Sequence, residues 1–535
     1  MAPLSHGAPR SGIRNQPAIA LVGFMGAGKS RGGAGIASVI GERWSDSDAE
    51  VEREIGEPLA EFFEREGETR FREVEERVAL GLLEGGGVVS LGGGAVESPK
   101  VRAKLAQCLT CWCRIDVETA WERSSRDERR PLARDRDAFE RRFHERTDLY
   151  AEVGRVLLDS GGERTGRLAG PWLRELSGHE DARLVWASSR SGSYPAIVGH
   201  GVWGASRTAL ARHGRNGDSA DGISRLFLVA DAEAYSHHRS SLSGIGSDQV
   251  VEVPGGEASK TLTEAERVLR ELARLGARRD DGVVAFGGGV VGDLAGFCAA
   301  TYQRGVPVIQ VPTTLVGQVD SAYGGKTGVD LPEAKNYAGA YHMPTAVLTD
   351  PGYLATLPQP ELAAGFAEVV KTALLAGGAL WEKVRSFDRL DPGQVSEVIF
   401  DCAATKVDVV ASDERDGGAR QQLNLGHTIG HGIEAAAGYG RYRHGEAVGL
   451  GMLAALRLSG AGELRDEVAA LLARAGLPTA LAADVETEAV IEALSRDKKR
   501  TAAGIGFVLL EDPGVPLIGQ AVDEAMVRQA VDELR

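Results

Sequence analysis

The chain has 535 residues, 43% of them hydrophobic, and a formal charge of −15. That length exceeds one ordinary domain and predicts about three, with ample apolar material for packed cores. The negative balance excludes a general nucleic-acid or anionic-membrane binder, while local Lys and Arg clusters still allow anionic substrates.

Residues 1–15 are polar, contain Pro, Gly and Ser, lack an apolar signal core and read as a disordered tail. No apolar run approaches a membrane span, so no membrane partner is expected. A first module covers residues 16–176 and opens on a short apolar strand, 18–22. It runs into Gly23-Phe24-Met25-Gly26-Ala27-Gly28-Lys29-Ser30, which fits G-x-x-x-x-G-K-[ST] in the strand-first context that a phosphate loop requires. Backbone N–H groups around Gly26, Ala27 and Gly28 would wrap ATP phosphates. Lys29 would reach the β- and γ-phosphates, and Ser30 would ligate Mg²⁺. A charged helix over 64–83 and strands over 87–91 and 109–115 follow. This alternation predicts a parallel sheet with helices on both faces, fading after about Glu175. Cys111 and Cys113 fall in the last strand as buried residues. The five cysteines, odd in number and without zinc-ribbon spacing, predict a reduced, cytoplasmic protein.

Five further elements sit downstream of the loop: Asp46-Ser47-Asp48, Phe71-Arg72-Glu73, Gly92-Gly93-Gly94, Arg130-Pro131-Leu132, and Arg146 four residues before Tyr150. Together they resemble the shikimate kinase family. The resemblance implies that Asp46 joins Ser30 in the Mg²⁺ shell and that Asp48 orients and deprotonates the attacking hydroxyl. Arg72 and Arg146 would clamp the shikimate carboxylate, which suits the planar guanidinium fork. Gly93 and Gly94 would line the substrate, and Arg130 would reach phosphate and substrate from a lid. Three departures stand out. Arg31 occupies a position where the family usually has Thr, Gly32-Gly33-Ala34-Gly35 are poor helix formers, and the lid reads Arg-Pro-Leu-Ala.

Residues 177–193 mix polar residues, Gly and a short apolar piece, and read as a linker. Alternation resumes over 194–350, with strands at 226–230, 283–286 and 308–311. From about Gly352 the pattern turns helical, so 351–535 reads as a mostly α-helical half. The tract Leu423-Asn424-Leu425-Gly426-His427-Thr428-Ile429-Gly430-His431, followed by His444-Gly445-Glu446, holds three of the eleven histidines. His427 and His431 share a helix face, and His444 can close on the same point. With one carboxylate they would make a zinc-type site with an open position. Gly426, Gly430 and Gly432 weaken a helix and read as close backbone approach.

Several motifs accompany that tract: Gly287-Gly288-Gly289-Val290-Val291-Gly292-Asp293, Pro312-Thr313-Thr314, Asp320-Ser321, Gly324-Gly325-Lys326, Lys335-Asn336, Gly365–Lys371 and Asp497-Lys498-Lys499. From about Ser193 onward the chain resembles the 3-dehydroquinate synthase family. The resemblance implies Glu368, His427 and His444 as ligands of Zn²⁺ or Co²⁺, and His431 as a substrate-site residue that moves protons. The implied substrate, 3-deoxy-arabino-heptulosonate 7-phosphate, would meet Arg304, Lys326, Asn336, Lys371, Lys406, Arg420 and Asn424, together with Lys498 or Lys499 or both. Asp320 would be a polar partner there, and Lys326, Lys371 and Asp320 would serve the chemistry. NAD would bind the loop around Gly288, Gly289 and Val290. Its further contacts would be Glu257, Lys260, Asp293, Thr313, Thr314, Asp320, Ser321, Lys335, Thr356, Leu357 and Glu361. Asp231, after its strand, would hold the ribose. Ala322-Tyr323 and Asp330 depart from the family pattern.

The two resemblances together imply a bifunctional shikimate-pathway enzyme using MgATP, NAD and a divalent metal, homodimeric through its synthase part. Three rivals remain: a related sugar-phosphate cyclase, a synthase with a non-catalytic nucleotide-binding module, and a polyol dehydrogenase that would accumulate NADH.

Overall fold

A computed structural model describes residues 17–125, 135–159, 161–212, 222–438, 440–496, 500–501 and 504–535. The chain divides into two compact units, Met1–Trp186 and Ala187–Arg535.

In chain order the first unit contains β1 (Ile19–Val22), α1 (Lys29–Ile40), β2 (Trp44–Asp46), α2 (Ser47–Ile55), α3 (Leu59–Glu84) and β3 (Val88–Ser90). It continues with α4 (Pro99–Leu105), β4 (Leu109–Arg114), α5 (Val117–Ser124), α6 (Arg136–Val153), β5 (Val156–Asp159), α7 (Glu163–Leu176) and β6 (Arg183–Ser188). The strands pair in parallel in the order β2-β3-β1-β4-β5-β6. Their apolar residues are buried because helices cover both faces, the usual condition of a parallel sheet. The helix read over 64–83 is α3, broken at Gly67 by a left-handed φ of 81°. The stretch 177–193, read as a linker, instead contains β6, whose Leu184 pairs with Val156 of β5. Its short apolar piece is long enough to add one strand to the sheet.

The glycines opening α1 have a packing role. A Cβ on Gly32 would lie 2.6 Å from the Gly161 carbonyl, and one on Gly166 of α7 only 2.2 Å from the Gly32 carbonyl. Helix propensity is sacrificed so that α1 and α7 can touch backbone to backbone. Arg31 points outward, exposed.

The second unit starts with β7 (Ser193–Val198), α8 (Val202–Arg212), β8 (Leu226–Asp231), α9 (Ala232–His238), β9 (Val250–Val253), α10 (Leu262–Arg274), β10 (Gly282–Gly287) and α11 (Gly289–Thr301). Next come β11 (Val308–Pro312), β12 (Lys326–Leu331), β13 (Ala334–Tyr341) and β14 (Ala346–Thr349). Six of these strands form a parallel sheet ordered β7-β14-β11-β10-β8-β9, and β12-β13 is an antiparallel hairpin. The helical half contains α12 (Gln359–Ala376), α13 (Gly378–Arg385), α14 (Pro392–Ser412), α15 (His427–Ala436), α16 (His444–Leu458), α17 (Gly462–Arg474) and α18 (Thr487–Arg496). It ends with β15 (Arg500–Thr501), β16 (Gly504–Leu510), β17 (Pro516–Ala521) and α19 (Glu524–Asp532). The half is mostly α-helical, and the three antiparallel strands β15–β17 complete it. All five cysteines are free and buried. Among the described residues, no helix is long and apolar enough to cross a membrane.

Candidate active sites

In the first unit the phosphate loop joins β1 to α1 as the motif requires. Gly28 caps α1 with a left-handed φ of 84°, a conformation that favours glycine. Lys29 Nζ folds over the loop and donates to the carbonyls of Gly23 at 2.8 Å and Phe24 at 3.2 Å. Ser30 Oγ donates to Asp46 Oδ2 at 2.6 Å, so the two expected Mg²⁺ ligands already meet. Asp46 also caps α2 by accepting from the Asp48 backbone N–H. Asp48 is exposed and abuts Gly92, where a Cβ would lie 2.5 Å from its Oδ1.

The expected carboxylate clamp also assembles. Arg72 Nη1 donates to Glu75 Oε2 at 2.5 Å, and Arg146, itself buried, donates from Nε to Glu97 Oε1 at 2.9 Å. A Cβ on Gly94 would lie 2.0 Å from Arg72 Nη1, so a side chain there would displace the guanidinium from its present seat. The carbonyl of Gly93 accepts from Tyr150 OH at 2.6 Å. Burial pushes the Glu75 carboxyl above its ordinary range despite Arg72 beside it. Arg130 lies outside the described residues.

In the second unit α12, α15 and α16 bring Glu368, His427 and His444 together. Their ligand atoms all lie within 4.8 Å of one another. His427 Nε2 is 3.5 Å and His444 Nε2 is 3.4 Å from Glu368 Oε1. Tetrahedral ligands at zinc distances stand about 3.4 Å apart, so the set fits such an ion. Glu368 is 1% exposed, and its Oε2 contacts Lys371 Nζ at 2.5 Å yet accepts no directed hydrogen bond. The oxygen that faces the two imidazoles is Oε1, the one placed to ligate, while Oε2 is held by the ammonium. Burial works against its charge, but Lys371 and the imidazoles outweigh burial and hold the carboxyl well below its usual range. Burial holds His427 neutral, the form that ligates. The helices approach closely here, because a Cβ on Gly445 would lie 1.8 Å from the Ala364 carbonyl.

Beside this cluster lies a chain of charges in which Lys371 and Lys406 are buried and Asp320 is half-buried. Asp320 Oδ1 is 3.4 Å from Lys371 Nζ and 2.7 Å from Lys406 Nζ. Arg420, also buried, donates to the carbonyls of Gly324 at 3.3 Å and Glu414 at 2.7 Å. Lys326 is exposed and pairs with Asp416 at 2.5 Å. His431 is exposed, its ring 5.6 Å from that of His427 and 5.8 Å from that of His444.

At the carboxyl ends of β8, β10 and β11, Gly288 faces Thr314, Gly289 faces Ser321, and Gly287 faces Asp231. The α11 N-terminus opens there, so its free N–H groups suit a pyrophosphate. Thr313 N–H is held by the Gly287 carbonyl at 2.9 Å. Lys260 Nζ pairs with Asp293 at 2.6 Å and donates to Asn336 Oδ1.

Residues 250–364 match the family model for the 3-dehydroquinate synthase N-terminal part, and 365–500 match its C-terminal part. The synthase of Symbiobacterium thermophilum is 40% identical over 357 residues, which span 64% of this chain and 98% of that protein. The chain belongs to the 3-dehydroquinate synthase family. The Halorhodospira halophila synthase is 42% identical over 361 residues, 65% of this chain and 99% of that one. Residues 25–176 match the shikimate kinase family model, so a kinase unit is fused to the synthase. A solved 2-epi-5-epi-valiolone synthase from Streptomyces hygroscopicus, with NAD⁺ and Zn²⁺ bound, is 25% identical. It aligns with a TM-score of 0.56, over 65% of this chain and 98% of its own.

Within the synthase unit the remaining expected residues spread more widely. Arg304 is exposed in the turn after α11, about 20 Å along that helix from the nucleotide loop. Glu361 pairs with Arg443 at 2.7 Å, and Thr356 Oγ1 lies 2.6 Å from His238 Nε2. Leu357 ends the turn that leads into α12. Glu257 is exposed, 4.0 Å from Lys335, and Asn424 stands just before the Gly426 turn. Val290 lies in the first turn of α11. Lys498 and Lys499 lie outside the described residues, as does the tail 1–15. Tyr323 turns into the core and bonds Gln318 and Thr349, and Asp330 accepts from Asn336 N–H at 2.6 Å. Neither departure obstructs the charged chain.

Sequence reasoning missed Glu434, Glu75, Glu97 and Arg123. Glu434 is buried, 3.5 Å from His444 Nδ1 and 3.5 Å from Lys335. Its position, three residues after His431 and seven after His427, was the available signal. With Glu368 on the other side, it raises His444 to about 10, although the surrounding protein disfavours that charge. Arg123 donates to the Gly26 carbonyl of the phosphate loop at 3.1 Å.

Proposed function

We propose that the chain catalyses two steps of the shikimate pathway. Its first unit transfers phosphate from MgATP to the shikimate 3-hydroxyl. Its second converts 3-deoxy-arabino-heptulosonate 7-phosphate to 3-dehydroquinate and phosphate. The carrying observation is the Glu368–His427–His444 cluster set beside the Lys371–Asp320–Lys406 chain, a metal site adjoining an anion site.

In the kinase, Lys29 and the loop N–H groups neutralise phosphate charge, and Ser30 with Asp46 would hold Mg²⁺. Arg72 and Arg146 fix the shikimate carboxylate, and Asp48 takes the proton of the attacking hydroxyl. In the synthase, NAD supplies reversible hydride acceptance and Zn²⁺ or Co²⁺ supplies Lewis-acid polarisation, so net redox is nil. The glycine loop and Asp231 would seat the dinucleotide. Lys371, Lys406 and Arg420 bind the substrate's anionic groups, Asp320 keeps the lysines in place, and His431 moves protons at the open rim. The buried, reduced cysteines support a cytoplasmic location, and family resemblance supports a homodimer through the synthase unit.

Two assays on one preparation test the proposal. ADP should form from MgATP only when shikimate is present. Phosphate should be released from the heptulosonate phosphate without net NADH, and a chelator should stop that release. Phosphate release without ADP formation would reduce the first unit to a binding module; NADH accumulation would favour a dehydrogenase.

A further inference from the structure

The two arginines of the shikimate clamp are bridged by a carboxylate of the chain itself. Arg146 Nε donates to Glu97 Oε1 at 2.9 Å, and Arg72 Nη2 lies 3.2 Å from Glu97 Oε2. Each oxygen meets one guanidinium, as the two oxygens of a bound substrate carboxylate would. Two more carboxylates reach Arg72: exposed Glu68, whose Oε1 lies 3.3 Å from Nη2, and Glu75, which differs in kind. Its side chain is 5% exposed and anchored under Arg72, whereas that of Glu97 is 40% exposed. The Glu97 backbone is held separately, its N–H by the Gly94 carbonyl at 2.9 Å and its carbonyl by Arg102 at 3.1 Å. The side chain can therefore rotate into solvent without moving the turn that carries Gly93 and Gly94.

We infer that Glu97 is an internal competitor for the shikimate carboxylate, a specificity-determining residue that the substrate must displace from Arg72 and Arg146. This rests on the kinase reading of the first unit. Exchange of one carboxylate for another conserves charge at the clamp, so neither arginine is left unpaired in either state. A ligand that offers only a carboxylate gains little from the exchange. Shikimate, whose hydroxyls can also reach Asp48 and the glycine turn, gains a net set of contacts. Apparent affinity is then reduced by the fraction of time that Glu97 holds the seat.

The test is steady-state ADP formation by the full chain carrying Glu97→Ala or the shape-preserving Glu97→Gln, with shikimate binding followed by calorimetry. The KM and Kd for shikimate should fall about three- to tenfold, with kcat and the KM for ATP within about twofold of wild type. A KM that is unchanged or raised in both variants would overturn the inference, since Glu97 would then be holding the arginines in place. Wild-type chain that forms no ADP with shikimate would remove the kinase reading itself, and the inference with it.

Discussion

Lys371→Met removes a cation held between two carboxylates. Lys371 is 1% exposed, 2.5 Å from Glu368 Oε2 and 3.4 Å from Asp320 Oδ1. Burial lowers its basicity, yet the carboxylates outweigh burial and hold it at about 12, against 10.5 for an ordinary lysine. That difference corresponds to about 2 kcal/mol. Because the folded value is the raised one, this stability is fully present below pH 10.5 and disappears as pH climbs through about 12. Methionine fills the space but leaves buried Glu368 and half-buried Asp320 without this partner, and breaking a buried pair costs about 3–5 kcal/mol. Lys406 remains 2.7 Å from Asp320 and softens the loss, so about 2–4 kcal/mol is expected. Calorimetric unfolding of the full chain at pH 7.5 in EDTA should show the transition of residues 187–535 lowered by several degrees. Zn²⁺ on Glu368, His427 and His444 replaces the missing charge, so added Zn²⁺ should raise the variant's Tm more than the wild type's. A variant that matches wild type in EDTA, or an equal Zn²⁺ shift in both, would refute the reasoning.

Asp48→Asn should lower kinase kcat by about 10²- to 10⁴-fold while leaving ATP binding intact; turnover within tenfold of wild type would show that Asp48 is not the base. Gly166→Ala should destabilise the kinase unit by about 1–3 kcal/mol, because its Cβ would meet the Gly32 backbone, which has little freedom to yield. Gly81→Ala in α3, with nothing within 4 Å, should instead stabilise by up to about 1 kcal/mol, and denaturant titration of both variants compares the signs. Burial pushes the Cys113 and Cys298 thiols up to about 12, so no cysteine of the folded chain should react quickly with a thiol reagent at pH 8, while all five react in denaturant.

Local chemistry was legible wherever it is written in consecutive residues. The phosphate loop is exposed by its spacing, while the Gly287–Asp293 turn and the His427–His431 tract were legible through the motifs that accompany them. The main parallel strands were equally legible, because buried strands are short apolar runs bounded by turns. The hairpin β12–β13 and the sheet β15–β17 were not, since their residues alternate only weakly between polar and apolar. The strand β6 is such an apolar run, Leu184–Ala187, but it stands among polar residues and Gly in the stretch read as a linker.

The amino-acid sequence by itself exposed the phosphate loop and the histidine tract, through residue type and short spacing, and the two family resemblances, which implied Glu368, His427 and His444 as the metal-ligand candidates. Only tertiary structure decided which charges meet. Glu368 comes from α12 and its imidazole partners from α15 and α16, while Asp320, Lys371 and Lys406 come from three segments. The same holds for Glu97, which no motif singles out until folding sets it between Arg72 and Arg146. Coulombic partnership falls off over a few ångströms, and distance along the chain does not encode distance across a packed core.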